Sequence, residues 1–422
     1  MAHSALWDWE TTEKSISLDY SNKLCLRAQE PYVSDDGEQL AAIVHFKDGA
    51  LGIVRNGQLY EQTFDNIWHL RFSPDGRLMA LVSEEGEWTV WVDGQLWENR
   101  FDFIWHPQFS GNGATIAVAF QQEMRYGMVV NDHAWDNRFG NITVPILSVD
   151  GQHTAAVVQI EPLNEGDIEG FEKGVFSVAV DGNLWPERFI NVWRGSFSPC
   201  GTHLAFEVRL DRHRSTIAVD GHAWPESFQA VWEPVFHPTD GTVIAPVQTQ
   251  GGWTIALDGR IVWPRSFFQC WQQQYTSDGA HIAAIVSPDY GRWTAAMDGK
   301  PWKICFDDMV TDLTLSPDGR RLAVAAKDKG QWTIAIDNHR WHHVFDRVWP
   351  PVYSPDGRHV AIKAQIGGRY HLVLDDVIGD INADVMWPPQ FSPGGDHILV
   401  RMIANNQYQR RVVPIAAVLG KG

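Results

Sequence analysis

The sequence predicts an all-β protein: a single β-propeller of four-stranded blades, about ten repeats of ~39 residues, spanning 1–422 with its last blade closed by both termini. Three observations predict it. A turn of the form aromatic–Ser–Pro–Asp–Gly recurs at near-constant spacing. A tight Asp-Gly hairpin follows each turn. No segment holds a 3.6-residue apolar period, so helices should be scarce.

The turn reads "FSPDG" at 72–76, "LSPDG" at 315–319 and "YSPDG" at 353–357, with variants such as "FSGNG" at 109–113 and "FSPCG" at 197–201. Counting a weaker first copy, "VSDDG" at 33–37, the repeats start near 33, 72, 109, 147, 197, 236, 275, 315, 353 and 391. One long step, from 147 to 197, contains the acidic insertion "EPLNEGDIEGFEKG" at 161–174.

Each unit then follows one script. A small apolar run such as "RLMALV" at 77–82 leads to a variable loop and then to a strand such as "WTVWV" at 88–92 or "WTIAI" at 332–336. Asp93-Gly94, Asp181-Gly182, Asp220-Gly221, Asp258-Gly259 and Asp298-Gly299 tolerate the positive φ of a two-residue hairpin; Asn56-Gly57, Asn131-Asp132 and Asp337-Asn338 are variants. A Trp follows (Trp97, Trp135, Trp185, Trp224, Trp263, Trp302, Trp341), then a Phe four residues on, and often a further aromatic four beyond that. Four short strands per repeat make a propeller blade, whose two faces are buried against its neighbours. Large flat rings fill the wedge between blades, so the 21 tryptophans are expected to be packing residues.

Residues 14–33 read as late-blade strands, and 397–402 and 409–415 as early-blade strands, so that one blade would be assembled from both ends and leave no open edge. Two smaller rings are the alternative to one wide ring; one ring is favoured because no Pro/Gly/Ser linker breaks the rhythm.

Lys and Arg number 34 against 52 Asp and Glu, a net charge of −18, which disfavours a nucleic-acid partner. Cys25, Cys200, Cys270 and Cys305 are scattered, without haem or cluster spacing, and read as free buried thiols of a reducing compartment. No secretory leader or apolar span is visible, so a cytoplasmic location with no direct membrane span is expected.

No G-x-S-x-G, H-E-x-x-H, Walker or Rossmann pattern is present, and the turn aspartates have a structural task. No catalytic, cofactor-binding or metal residue is assigned. His339, His342 and His343 lie close in sequence, but strand alternation points the last two to opposite faces. In a meander blade the Pro-Asp-Gly turns and Asp-Gly hairpins share one face of the ring, and the variable loops and inter-blade links share the other. Uniformity serves folding, while variation permits recognition. The candidate partner-binding residues are therefore Glu161, Glu165, Asp167 and Glu169 in the insertion, and Arg209, Arg212, His213 and Arg214 in the basic loop "RLDRHRS" at 209–215.

The "SPDG-x-x-[LI]-A" segments, such as "FSPDGRLMA" at 72–80, resemble TolB-like and WD-type propeller repeats. The fuller unit W-x-V-x-V-D-G-x-x-W-x-x-x-F-x-x-[IV]-W, as in 88–105, resembles TmcD, the tryptophan-rich subunit of the Tmc transmembrane electron-transfer complex of sulfate-reducing bacteria. That resemblance covers the whole chain. It implies a non-catalytic, cofactor-free accessory subunit of a membrane redox complex active in sulfate respiration. Such a subunit would be cytoplasmic, peripheral to the inner membrane, and docked on a membrane cytochrome b subunit and a cytoplasmic iron–sulfur subunit. The alternatives are a propeller enzyme of hydrolase or peptidase type and a generic protein-interaction scaffold.

Overall fold

The computed structural model describes residues 6–18, 25–162 and 166–420. Ten antiparallel sheets stand in one ring. Blade 2 shows the plan: Asn66–Phe72, Leu78–Glu84, Glu87–Val92 and Gln95–Leu96 pair in chain order. In blades 1, 6, 9 and 10 the first strand is interrupted, for instance as Ala230–Val231 and Val235–Phe236 in blade 6. First strands of neighbouring blades approach one another, so they form the inner wall. Among the described residues, helix is confined to Ile168–Glu172, inside the insertion, and Ile415–Val418.

Apolar side chains collect at the seams between blades. Each seam has its own cluster of buried residues, such as Ala117, Trp135 and Phe139 of blade 3 against Ile142, Ala156 and Ala179 of blade 4. A size rule governs most seams. The outer-strand Trp of one blade faces a small residue on the third strand of the next: Trp135 meets Ala179, Trp224 meets Ala256, Trp263 meets Ala296. The first-strand tryptophans depart from the packing expectation. Trp68 and Trp232 remain 43% and 46% exposed at the loop end of the inner wall, because a ten-bladed ring leaves its innermost strands facing a central opening.

The turn face is a repeated hydrogen-bond lattice. In most of these turns the Ser or Thr hydroxyl donates to the carboxylate two residues on, at 2.5 Å for Ser148–Asp150, Thr276–Asp278 and Ser316–Asp318. The hairpin aspartate does more than tolerate a positive φ. Asp93, Asp181, Asp220 and Asp298 each accept from the backbone N–H that opens the second strand, at 2.8–3.0 Å. Their second oxygen meets a histidine in three blades (His153, His203 and His281, all at 2.7 Å). In the variant dipeptides the first residue makes the same bond, as Asn131 does to Ile116 N–H and Asp337 to Leu322 N–H, and the second residue can add another. Asp132, Asn338 and Asp376 reach to the preceding blade and accept from backbone N–H groups in its broken outer strand, at Glu98, Lys303 and His342. The same break is held from inside by buried hydroxyls, Thr89 donating to Asn99 O at 2.8 Å and Thr294 to Ile304 O at 2.6 Å. This explains the recurring Trp-Thr pair.

Cys200 occupies the aspartate position of its turn, 3.3 Å from Ser198 Oγ and 3.0 Å from Thr202 Oγ1. These two hydroxyls bring the thiol down to about 7. The cysteines thus differ from the expectation of uniform burial: Cys200 is exposed, Cys270 buried and Cys305 half-buried, while the side chain of Cys25 lies outside the described residues. Carboxylates accept hydrogen bonds better than sulfur, so Cys200→Asp is expected to raise the melting temperature by about 1–2 °C. Calorimetry at neutral pH checks this; a fall would show that the turn has adapted to sulfur.

Both ends meet in blade 10, in part as expected. His397–Ala404 and Gln407–Pro414 are its second and third strands, and Glu13–Ser17 pairs with the latter as its outermost strand. The reading of 14–33 needs correction in its second half. Cys25–Ala28 and Tyr32–Val33 pair with Leu40–Phe46 and form the inner strand of blade 1. The first repeat therefore starts before its own turn, as every other blade does. Across the closing seam the apolar cluster is small (Leu40, Ile403, Tyr408), and buried polar groups take its place. Arg401 donates to Ser34 O and Asp35 O, Arg410 to Asp36 O and Asp8 O, and Tyr408 to Gly37 O at 2.7 Å. Four consecutive carbonyls of the blade 1 turn are thereby capped by the last blade.

Candidate functional site

The first strands carry a β-bulge. Register shifts between Trp68 and Arg71, Trp105 and Gln108, Val192 and Gly195, and Trp271 and Gln274. His69, His106 and Gln272 sit there at φ of 50–55°. The extra residue re-aims the chain, and the bulged Trp and its successor stand at the inner wall. In blades 5 to 7 these residues surround an open recess of about 1060 Å³. Trp193, Trp232, Trp271 and Trp293 supply its aromatic walls, and Arg194, Glu207, Glu233 and Gln272 to Gln274 its polar groups. Trp232 stacks on Trp253 at 5.2 Å between ring centroids, and Trp271 leans on Trp293 at 4.6 Å, so the rings are fixed.

Glu207 is the unusual member. It lies on the second strand Leu204–Arg209, at the place that holds Leu81 in blade 2 and Ile285 in blade 7. Blades 9 and 10 also carry charge there, with Lys363 and Arg401. Both cations are satisfied: Lys363 donates to Met386 O at 2.8 Å and lies 3.9 Å from the centre of the Trp349 ring. Desolvation brings Lys363 down to about 8. No hydrogen-bond partner reaches the Glu207 carboxylate among the described residues. Burial pushes it up to about 7, against the opposing pull of Arg194. Arg194 itself lies 3.5 Å from Glu233.

The sequence-based candidates lie on the loop face, and the structure joins their two loops: Arg212 meets Glu172 of the insertion at 2.7 Å. Asp167 caps the short helix, accepting from Gly170 N–H at 2.8 Å. Glu169 is exposed in its first turn. Glu161 pairs with Arg188 at 2.5 Å. Glu165 lies outside the described residues. In the basic loop, Arg214 pairs with Asp211 at 2.5 Å, Arg209 donates to Arg212 O at 2.6 Å, and the His213 N–H bonds Asp211 at 2.8 Å. The loop's charge is largely spent on its own structure. His342 and His343 both turn to Asp376, at 3.7 and 3.0 Å. Sequence reading missed the recess, because Glu207 sits inside the run "THLAFEV", which reads as one more apolar strand. Its only sequence signal is a carboxylate where most repeats place an aliphatic residue.

Among the described residues no helix is long and apolar enough to cross a membrane. No protein-family model matches the chain, and no curated protein matches it. Among solved structures it is similar to the β-propeller domain of Cps50 (Swd1) from Myceliophteria thermophila, at 13% identity and a TM-score of 0.30, over 64% of this chain and 98% of that one. It is similar to the Dos1 propeller at 11% identity and 0.36, over 86% and 94%. The tricorn protease aligns at 14% identity and 0.30, over 80% of this chain and 43% of that one. The evidence for the ten-bladed ring is the sheet topology itself, and the likeness to TmcD rests on the repeat pattern alone.

Proposed function

We propose that the protein is a non-catalytic interaction platform that holds a partner protein on its loop face. One observation carries this: the two faces of the ring are chemically unequal. On the turn face, serine, aspartate and histidine satisfy one another blade after blade. On the loop face, apolar side chains stand in solvent on the loops and links, including Met124 (71% exposed), Ile168 (59%), Phe268 (51%) and Tyr290 (84%), whereas among the turns themselves Val149 (63%) is the large apolar side chain so exposed. Exposed apolar groups of this kind mark contact surfaces. The finer reading, supported by the tryptophan-rich repeat, is an accessory subunit of a membrane-bound electron-transfer complex, peripheral to the inner membrane. Its partners would be a membrane cytochrome b subunit and a cytoplasmic iron–sulfur subunit.

The insertion offers a clean test. Ile160 N bonds Val175 O at 2.9 Å, so deleting 162–173 leaves Glu161-Gly174 as a two-residue hairpin. Blade 2 already uses that sequence, Glu85-Gly86, with both residues at positive φ. The deletion removes one exposed ion pair, Arg212–Glu172, a loss below about 1 kcal/mol. Melting should be nearly unchanged, while co-purification of haem and iron–sulfur proteins from native membranes should fall. Undiminished co-purification would remove the insertion from the interface, and failure of the intact chain to retain any such protein would remove the redox assembly.

A further inference from the structure

The recess in blades 5 to 7 is a site independent of loop-face docking. Its wall chemistry narrows the ligand. Four glutamines line it, and three of them brace the ring: Gln272 Oε1 accepts from Leu313 N–H at 3.3 Å, Gln273 Nε2 donates to Glu233 O at 2.5 Å, and Gln274 Nε2 donates to Leu313 O at 3.1 Å. The chemistry that sets this recess apart is indole surface beside carboxylate. The charged lining is Arg194, Glu207 and Glu233, one positive group against two negative, and Arg194 lies beside Glu233. Glu207 makes no hydrogen bond among the described residues and feels only the pull of Arg194, which Glu233 shares, and a half-buried carboxylate so weakly partnered is costly. Indole faces attract cations, most strongly where water is excluded. The overall charge of −18 raises the local concentration of any cation.

We propose that this recess binds an organic ammonium cation, with its apolar substituents against Trp193, Trp232 and Trp271 and its charge against Glu207. The cation belongs either to a free quaternary amine or to a trimethylated lysine side chain of a partner. The recess, open on one side and about 1060 Å³ in volume, admits both. Binding favours the ionised carboxylate. With Glu207 pushed up to about 7 when the site is empty, affinity for a permanently charged ligand rises with pH. The gain is about tenfold between pH 6 and pH 8. Arg194 and Glu233 are the other charged groups facing Glu207, and a quaternary amine does not titrate, so the slope reports the carboxylate.

Calorimetric titration of the full chain tests this with three probes: choline, a short peptide bearing trimethyl-lysine, and the neutral choline isostere 3,3-dimethylbutan-1-ol. One or both cations should bind at least about tenfold more tightly than the isostere. The tighter of the two identifies the source. Glu207→Gln and Trp232→Ala should each weaken cation binding about tenfold or more, and Glu207→Gln should also flatten the pH dependence. Glu207→Gln removes a half-buried charge that makes no hydrogen bond, so it should melt no lower than the parent at pH 8, which separates loss of binding from loss of fold. Equal binding of choline, peptide and isostere, or a Glu207→Gln variant that binds cations as the parent does, would overturn the proposal.

Discussion

Arg410→Ala is expected to weaken the closing seam of the ring and to cost about 3–5 kcal/mol in denaturant unfolding. The side chain is fully buried, and its guanidinium reaches Asp36 O at 3.0 Å, Thr11 O at 3.4 Å, Asp8 O and Glu38 Oε1 at 2.9 Å. Alanine would leave buried carbonyls unpaired and Glu38 with only Lys14, which lies at 2.7 Å. The acceptors belong to the turn of blade 1 and to the segment leading into Glu13–Ser17, so two closing contacts fail together. Amide exchange should accelerate first in Glu13–Ser17 and Gln407–Pro414, ahead of the other blades. Uniform acceleration around the ring, or a loss under about 1 kcal/mol, would show that the seam does not depend on this residue.

Trp91→Ala is expected to cost about 3–5 kcal/mol as well, by a different route. Trp91 is fully buried, donates from Nε1 to Gln62 Oε1 at 2.6 Å, and meets Tyr60 edge-on at 4.8 Å. It inverts the size rule of the other seams. In five seams a Trp of the outer strand faces Ala179, Ala218, Ala256, Ala296 or Ala335; here the outer strand offers the smaller Tyr60, and the third strand supplies the large ring. Alanine at 91 would pair small with intermediate and leave a cavity. The double variant Tyr60→Trp, Trp91→Ala restores the arrangement of the neighbouring seams and should recover half or more of the loss. No recovery would mean that the seam between blades 1 and 2 has its own geometry, not an inverted copy of the common one.

Local chemistry wrote most of the blade in plain view. Asp-Gly hairpins, Ser–Pro–Asp–Gly turns and alternating apolar runs act within a few residues, so their recurrence disclosed four strands per repeat and the position of each turn. The unequal faces followed, because a meander must place its even and odd connections on opposite sides. Even so, the aspartates carried a second task, bonding a strand start some 15 residues away, that spacing alone did not reveal. The late-blade reading of 25–33 failed for a related reason: a short strand declares its partner only when the ring is complete.

By itself, then, the order of residues settled the repeating unit and the aromatic content of its seams, since both depend on neighbours in the chain. Closure and the recess were settled by the folded ring. Arg401 and Arg410 act on carbonyls about 370 residues away, and Glu207 becomes distinctive only when Trp232 and Trp271 of the following blades enclose it. Desolvation of a charge depends on what surrounds it in space, and in a ring the nearest surroundings are other blades.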